Sequence, residues 1–396
     1  MSESLSPYPF RLADSRLPNI GTTIFTVMSA LAVEHDAVNL GQGFPDFECD
    51  PALVDAVTRA MRAGHNQYPP MAGVAALRSA IAQKIETLYG HRYDPESEIT
   101  VTAGATQAIL SAILAIVHPG DEVIVIEPAY DSYAPAILLA GGIPVFVAMR
   151  PPANLDSNFT IDWNAVRAAV TPGTRLLIVN TPHNPTGSTM SEADMQALEA
   201  LVSTSGLIVI ADEVYEHMVF DGARHESIAR YPALAERGIL ISSFGKTYHV
   251  TGWKVGYAVA PRALMREFRK VHQFNVFTVN TPMQHALTDY LRDPAPYMTL
   301  ADFYAGKRDF FQAGLRATRF KALPCSGTYF QLADYSAIRP DLPEAEFCQW
   351  LTREGGVAAI PVSAFYDRPR DAQLVRFCFA KSEATLVRAL DRLRRL

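Results

Sequence analysis

The chain has 396 residues, 49% hydrophobic and 10% aromatic, with 35 Lys and Arg against 41 Asp and Glu for a net charge of −6. That composition excludes a disordered tail, a collagen and a small disulfide-stapled scaffold, and at roughly 150 residues per domain the length predicts two or three domains. Mild acidity without any Lys/Arg block argues against nucleic acid as a partner and for a small molecule.

Met1 to Arg11 has Glu3 and no apolar run, so no secretory signal is expected there. Ile99 to Gly120 and Ser132 to Met149 both lack Asp, Glu, Lys and Arg. Polar residues interrupt the first, and Pro135, Gly141, Gly142 and Pro144 interrupt the second, so both read as buried α/β core and no membrane span is expected. Strands are predicted at Glu98 to Ala103, Glu122 to Glu127, Pro144 to Ala148, Arg175 to Asn180, Leu207 to Asp212, Gly238 to Ser242 and Gly256 to Ala260. Helices are predicted among them at Thr106 to Val117, Ser132 to Ala140, Ile161 to Ala169 and Glu192 to Ser203. Apolar strands alternating with helices imply an α/β fold with a mostly parallel sheet covered on both faces.

Pro261 to Arg292 is a long helical pattern that Thr281-Pro282 should break near a domain boundary. Beyond it, helices at Met298 to Arg316, Glu344 to Glu354 and Ala384 to Leu396, with short strands at Gly327 to Ala333 and Leu374 to Phe379, read as a smaller α+β domain. Cys49, Cys325, Cys348 and Cys378 are far apart, which fits reduced thiols in a cytoplasmic protein. Without H-E-x-x-H or Cys/His ligand spacing, no metal is expected.

In open parallel sheets a ligand sits beyond the carboxyl ends of the strands, and the polar motifs fall there. Gly245-Lys246-Thr247 has the end of a nucleotide phosphate loop, but the first glycine of that motif should stand where Leu240 is. Ser243 to Lys246 matches the S-x-x-K of penicillin-interacting enzymes without its companion S-D-N. Taken singly, a strand-end Asp caps a helix, an Asn-Pro-x-Gly is a turn and a lysine is solvated.

Taken together, these residues supply what pyridoxal phosphate requires: an amine to condense with its aldehyde, a carboxylate to keep its ring nitrogen protonated, and donors at its phenolic oxygen. Lys246 is the candidate amine, its pKa lowered by desolvation or a neighbouring cation, and Asp212 the candidate carboxylate. Asn184 and Tyr215 are placed to share the phenolic oxygen. Thr102-Ala-Gly-Ala-Thr106 joins a strand to a helix and offers free N–H groups to a phosphate at Gly104, Ala105 and Thr106, with Ser243 and Lys254 adding a hydroxyl and a charge.

At this point the chain resembles the class I/II aminotransferases of the aspartate-aminotransferase fold, and within them the branch of methionine aminotransferase and the kynurenine/glutamine transaminases. The resemblance runs from about Gly21 onward. It is carried by Asn39 to Phe47, Asn66-Gln-Tyr68, Thr181 to Gly187, Ala211 to Tyr215, Ser242 to Gly256 and Val375 to Phe379. It implies fold type I, a seven-stranded central sheet, an N-terminal segment (1–45) packed on a small domain (286–396), and a large cofactor domain (46–285). Lys246 then becomes the covalent anchor and proton shuttle, and Tyr130 stacks on the cofactor ring. Arg376 binds the substrate α-carboxylate in a bidentate pair, helped by the Gly43 backbone.

The resemblance further implies a homodimer with shared sites, in which Tyr68 from the other subunit joins the phosphate contacts, and Tyr68 and Phe277 from that subunit join Phe25 and Phe365 around the substrate side chain. It departs from the wider family at Lys254, where Arg is frequent, and at Thr181, where Asn is usual. The implied reaction is ping-pong transamination between an amino acid and a 2-oxo acid, with methionine, phenylalanine, glutamine, histidine or kynurenine favoured over aspartate by the aromatic lining. A cysteine-conjugate β-lyase side reaction and a non-catalytic cofactor-sensing regulator are the alternatives.

Overall fold

The computed structural model describes residues 14–368 and 370–396; Met1 to Arg11 lie outside them. Three helices that the sequence reading did not assign precede the first large-sheet strand. Helix α1 (Ile24–Glu34) leads into the short strand β1 (Val38–Asn39), and α2 (Pro51–Arg62) and α3 (Ala75–Tyr89) follow. The start of α2 has a local cause: the Asp50 side chain accepts from Ala52 N at 2.8 Å, and Pro51 occupies the first turn, where its missing N–H costs nothing.

The chain then alternates. Strand β2 (Ile99–Thr102) precedes α4 (Gly104–Ile116), β3 (Glu122–Glu127) precedes α5 (Tyr133–Leu139), and β4 (Ile143–Ala148) precedes α6 (Trp163–Ala168). Strand β5 (Thr174–Asn180) leads to α7 (Glu192–Ser205), and β6 (Ile208–Asp212) to the short α8 (Pro232–Ala235). The run closes with β7 (Gly238–Ser243), α9 (Phe244–Thr247) and β8 (Gly256–Val259). These strands form one sheet in the order β2-β8-β7-β6-β5-β3-β4, with β8 alone antiparallel to its neighbours. Between β7 and β8 the chain forms only the single turn of α9 and a 3-10 turn at Thr251–Trp253, with no crossover helix to carry it back for a parallel pairing.

Alternate residues of the strands feed two cores. Val123 and Val125 pack with Ile109, Ile113 and Phe268 on one face, while Ile124 and Ile126 pack with Leu77, Ile81 and Leu198 on the other. The long helical stretch after β8 divides, as expected, into α10 (Arg262–Asn275) and α11 (Thr281–Leu291). The break lies ahead of the proline, at 276–280, because Pro282 sits in the first turn of the second helix and Asn280 caps it.

Next come α12 (Ala295–Met298) and α13 (Leu300–Leu315), where the sequence predicted one helix from Met298 to Arg316. Strands β9 (Lys321–Ala322) and β10 (Phe330–Asp334) follow, then α14 (Glu344–Arg353), β11 (Val357–Ala358), β12 (Ile360–Pro361), β13 (Leu374–Cys378) and α15 (Glu383–Leu393). Strand β10 starts later than predicted because Gly327 bridges to Val219 and the chain bends at Thr328 and Tyr329, with Thr328 at φ +67°. Strands β12-β13-β10-β9 form an antiparallel sheet, and β1 pairs in parallel with β11. Helix α1 packs on α14, so Met28 and Leu31 share a core with Phe347 and Leu351. No helix among the described residues is long and apolar enough to cross a membrane, and all four cysteines are free.

Candidate active site

The carboxyl ends of β5, β6 and β7 deliver Asn180, Asp212 and Ser243 to one edge of the sheet, beside the turns that lead into α4 and α5. A cavity of about 330 Å³ opens there, lined among others by Phe25, Gly43, Tyr130, Asn184, Tyr215 and Arg376. Asp212 and Lys246 also face it.

Asp212 is 4% exposed. Its Oδ2 accepts from Tyr133 Oη at 2.6 Å and its Oδ1 from Val214 N at 3.4 Å. Burial raises its pKa to about 6, against the opposing pull of these hydrogen bonds and of Lys246. A buried acid of this kind gains when a cation arrives opposite it. Lys246, in the single turn of α9, places Nζ 2.9 Å from Tyr329 Oη and 3.2 Å from Gly43 O. Desolvation lowers it to about 8, with Arg376 and Lys254 adding to the fall while Cys378 and Asp212 oppose it. A useful fraction of neutral amine therefore exists near neutrality.

Arg376 stands on β13, between β12 and β10, and is 1% exposed. Its Nη1 donates to Asn184 Oδ1 at 2.7 Å and its Nη2 to Gly41 O at 3.0 Å, while Nε is buried without a partner. The guanidinium lies 3.9 Å from the Phe330 ring centre, 5.0 Å from Phe365 and 5.3 Å from Phe25. Burial lowers its pKa to about 10, which leaves it charged at neutral pH. An interior cation that lines a cavity fits a carboxylate ligand. Because Arg376 occupies the carbonyl of Asn184, the Asn184 amide N–H groups are left as donors.

The start of α4 has the shape of a phosphate cradle. Gly104 has φ +77°, and a Cβ there would meet Lys254 Nζ at 3.2 Å, so the ammonium lies against the turn. A Cβ on Gly256 would meet Ser242 O at 2.7 Å and Ala105 N at 3.2 Å, so only glycine lets β8 pass so close to the helix start. No side chain caps α4, and its first-turn N–H groups are supplemented by Lys254 and by the Ser243 hydroxyl, whose oxygen already caps α9. Burial raises the Tyr130 phenol against an opposing pull from Thr106, so Tyr130, which lines the cavity, also stands beside this cradle. Amine, buried acid and anion seat thus fit the parts of pyridoxal phosphate.

Below the site, Glu216 accepts from Lys84 Nζ at 2.7 Å, Ser242 Oγ at 2.6 Å and Tyr257 Oη at 2.9 Å, and also from Tyr89 Oη. Burial pushes Glu216 up, but Lys84 and the hydrogen bonds outweigh it and hold the carboxyl below the usual range. This network fixes the end of β7 immediately before Ser243.

Of the four aromatics predicted around the substrate side chain, Phe25 lines the cavity and Phe365 lies behind it against Arg376, while Tyr68 and Phe277 stay apart. Tyr68 and Phe277 pack edge to face on one another at 5.4 Å on the chain's surface, Tyr68 being 82% exposed. The sequence reading missed Tyr133, Asn180, Tyr329 and Phe330. Asn180 had a signal: it ends an apolar strand as Asp212 does, and the two are register partners. Tyr329 and Phe330 had none, since they reach the site only through the pairing of β10 with β13.

The family model for aminotransferase class I and II matches residues 35–393. The chain is 53% identical to the methionine aminotransferase of Escherichia coli (strain K12) over 97% of this chain and 98% of that protein. It is 36% identical to the human kynurenine–oxoglutarate transaminase 1 over 97% and 98%. Among solved structures, an Escherichia coli protein described as having a methionine aminotransferase function superposes with a TM-score of 0.94 at 53% identity, covering 98% of this chain and 100% of that one. Thermus thermophilus aspartate aminotransferase superposes at 0.87 with 32% identity, over 98% and 100%. With its fold, its site and these likenesses in agreement, the chain belongs to the class I and II aminotransferases, enzymes that depend on pyridoxal phosphate and move an amino group between an amino acid and a 2-oxo acid.

Proposed function

We propose that the chain is an aminotransferase for sulfur-containing, apolar and aromatic amino acids, methionine foremost, acting as a homodimer in the cytoplasm. The observation that carries the substrate class is the aromatic surround of Arg376: Phe330, Phe365 and Phe25 flank the guanidinium, so the α-carboxylate has its cation while the neighbouring wall is apolar. The likeness to methionine and kynurenine transaminases supports the same reading.

Pyridoxal phosphate, when bound, supplies an aldehyde that accepts the amino group and a ring that withdraws electrons from the substrate α-carbon. Lys246 would hold it covalently, the α4 start with Ser243 and Lys254 would hold its phosphate, and Tyr130 would cover its ring. Asp212 would hold the proton on the ring nitrogen, and its high pKa as a lone buried acid falls when that cation faces it. Asn184 and Tyr215 would donate to the phenolic oxygen. Arg376 and the Gly43 N–H orient the amino acid by its carboxylate, and Lys246 Nζ takes the α-proton and later gives it up.

In the dimer, Tyr68 and Phe277 of each subunit would complete the other's site, which accounts for two aromatic rings left exposed on one chain. We also assign the domain division implied by the resemblance, since 1–45 packs through α1 and β1 on α14 and β11.

The test is an amino-donor panel on the purified enzyme with a 2-oxo acid acceptor. The ratio of kcat/KM for methionine over aspartate should be at least about 10²-fold, because the cations among the described residues lining the cavity are Lys246, which the reaction occupies, and Arg376, which the α-carboxylate takes. Equal rates with aspartate would refute the substrate class while leaving the family untouched.

A further inference from the structure

Tyr329 lies just ahead of β10 and is completely buried. Its hydroxyl is 2.6 Å from Gly43 O and 2.9 Å from Lys246 Nζ, and Nζ is itself 3.2 Å from Gly43 O. The directions of these three contacts are fixed by valence. A carbonyl oxygen only accepts, and a phenol has one hydrogen, which the short contact commits to Gly43 O. Toward Lys246, Tyr329 therefore presents a lone pair. Two acceptors converge on one amine, and both favour its ammonium form. The ring has little freedom to turn away, being packed against Phe330 at 4.9 Å, Tyr215 at 5.2 Å and Tyr304 at 5.6 Å. Burial also raises the Tyr329 phenol well above its ordinary pKa, so it keeps its hydrogen throughout the working range.

Gly43 adds a second link. A Cβ at this position would lie 2.8 Å from Phe330 Cζ, and Phe330 is the ring stacked on Arg376. The loop that carries Gly43 is thus seated against both the carboxylate-binding arginine and the lysine.

We propose that Tyr329 is a catalytic residue whose hydroxyl, together with the Gly43 carbonyl, forms the seat that receives Lys246 Nζ whenever the lysine is free, steadying the proton it has taken from the substrate. The proposal rests on Lys246 being the amine of transamination. The proton account is simple. The α-carbon loses a proton, Nζ gains it and becomes ammonium, Nζ later releases it and is neutral again, and Tyr329 keeps its own hydrogen on Gly43 O throughout. Because the acceptor is also bonded to the Gly43 loop, the seat is complete only when that loop is in place beside Arg376.

The experiment is a single-turnover measurement of the methionine half-reaction by the holoenzyme across a pH series, with α-deuterated methionine in parallel, for the parent and the Tyr329→Phe variant. The pH dependence of acylation of Lys246 is measured beside it in the full-length protein freed of cofactor. Loss of one acceptor from an ammonium should move the lysine limb to lower pH by about one unit in both assays, with a changed deuterium effect and a smaller change in KM. Tyr304→Phe removes a hydroxyl that touches no partner and flanks the same ring, so its limb should stay where the parent's is. An unmoved limb in Tyr329→Phe, with only KM or the melting temperature altered, would overturn the proposal, as would an equal shift in Tyr304→Phe. A Lys246→Ala variant that still completed the half-reaction would overturn both this proposal and the assignment of Lys246 beneath it.

Discussion

Asp212 carries a measurable cost in the absence of its cation. Its folded-state pKa of about 6 stands above the ordinary 3.8, so the native state binds a proton more readily than the unfolded chain does. The ionised carboxylate therefore weakens the cofactor-free fold above pH 6, and the penalty is relieved as pH falls from about 6 towards 4. Asn mimics the neutral acid at the same size. Cofactor-free Asp212→Asn should exceed the parent in stability by about 3 kcal/mol well above pH 6, with the two converging near pH 4, as read by denaturant melts. The same variant should lose most of its transaminase rate, because Asn cannot hold a proton on the ring nitrogen.

Asp212, Lys246 and Asn184 were legible as chemistry because each stands in a motif whose order along the chain is itself informative, whereas Arg376 was reached only through the family resemblance. Tyr133 and Tyr329 were not. Tyr133 meets Asp212 across 79 positions and Tyr329 meets Gly43 across 286, and no local pattern encodes a partner that only the folded sheet supplies.

At the scale of elements, the proposed anion seat at the start of α4 is assembled from three segments: the Gly104 turn, the Ser243 cap of α9, and Lys254, itself at φ +55°. Lys254→Ala should leave the helix intact and weaken cofactor binding by about tenfold, measured by equilibrium titration, since it removes one charge-assisted contact while the helix amides remain. Elements with strong punctuation were read correctly in the sequence, the alternating strands above all. The misplaced ends trace to local turn chemistry. Thr299 separates α12 from α13 with no proline or glycine between them, and Pro282 begins a helix rather than ending one. Of the helices before Glu98, α2 has a sound start signal in Asp50-Pro51, whereas α3 begins without a side-chain cap and no strand alternates with either to punctuate the stretch.

At the scale of the whole molecule, one chain holds the acid, the amine and the arginine but leaves Tyr68 and Phe277 facing outward, with Phe274 87% exposed nearby in sequence. In the proposed dimer, mixing inactive Lys246→Ala chains with impaired Tyr68→Ala chains gives hybrids in which one site draws every group from an intact source. After subunit exchange, activity should rise to about one quarter of the parent level, from half the dimers each with one sound site. Activity that stays at the level of the unmixed Tyr68→Ala protein would place Tyr68 outside the neighbouring site.

The setting of Arg376 also governs what evolution or an engineer can change here. Its guanidinium is clamped by a backbone carbonyl, an amide and a ring, and in the proposed role it reads only the group that incoming donor and outgoing keto product have in common. In the same proposal, tolerance for the rest of the molecule is delegated to Phe25 on α1 and Phe365 after β12, which hang from the periphery of the scaffold rather than from β6 and the α9 turn that carry the acid and the amine. Repertoire can therefore drift at the rim while the reaction at the centre stays as it is.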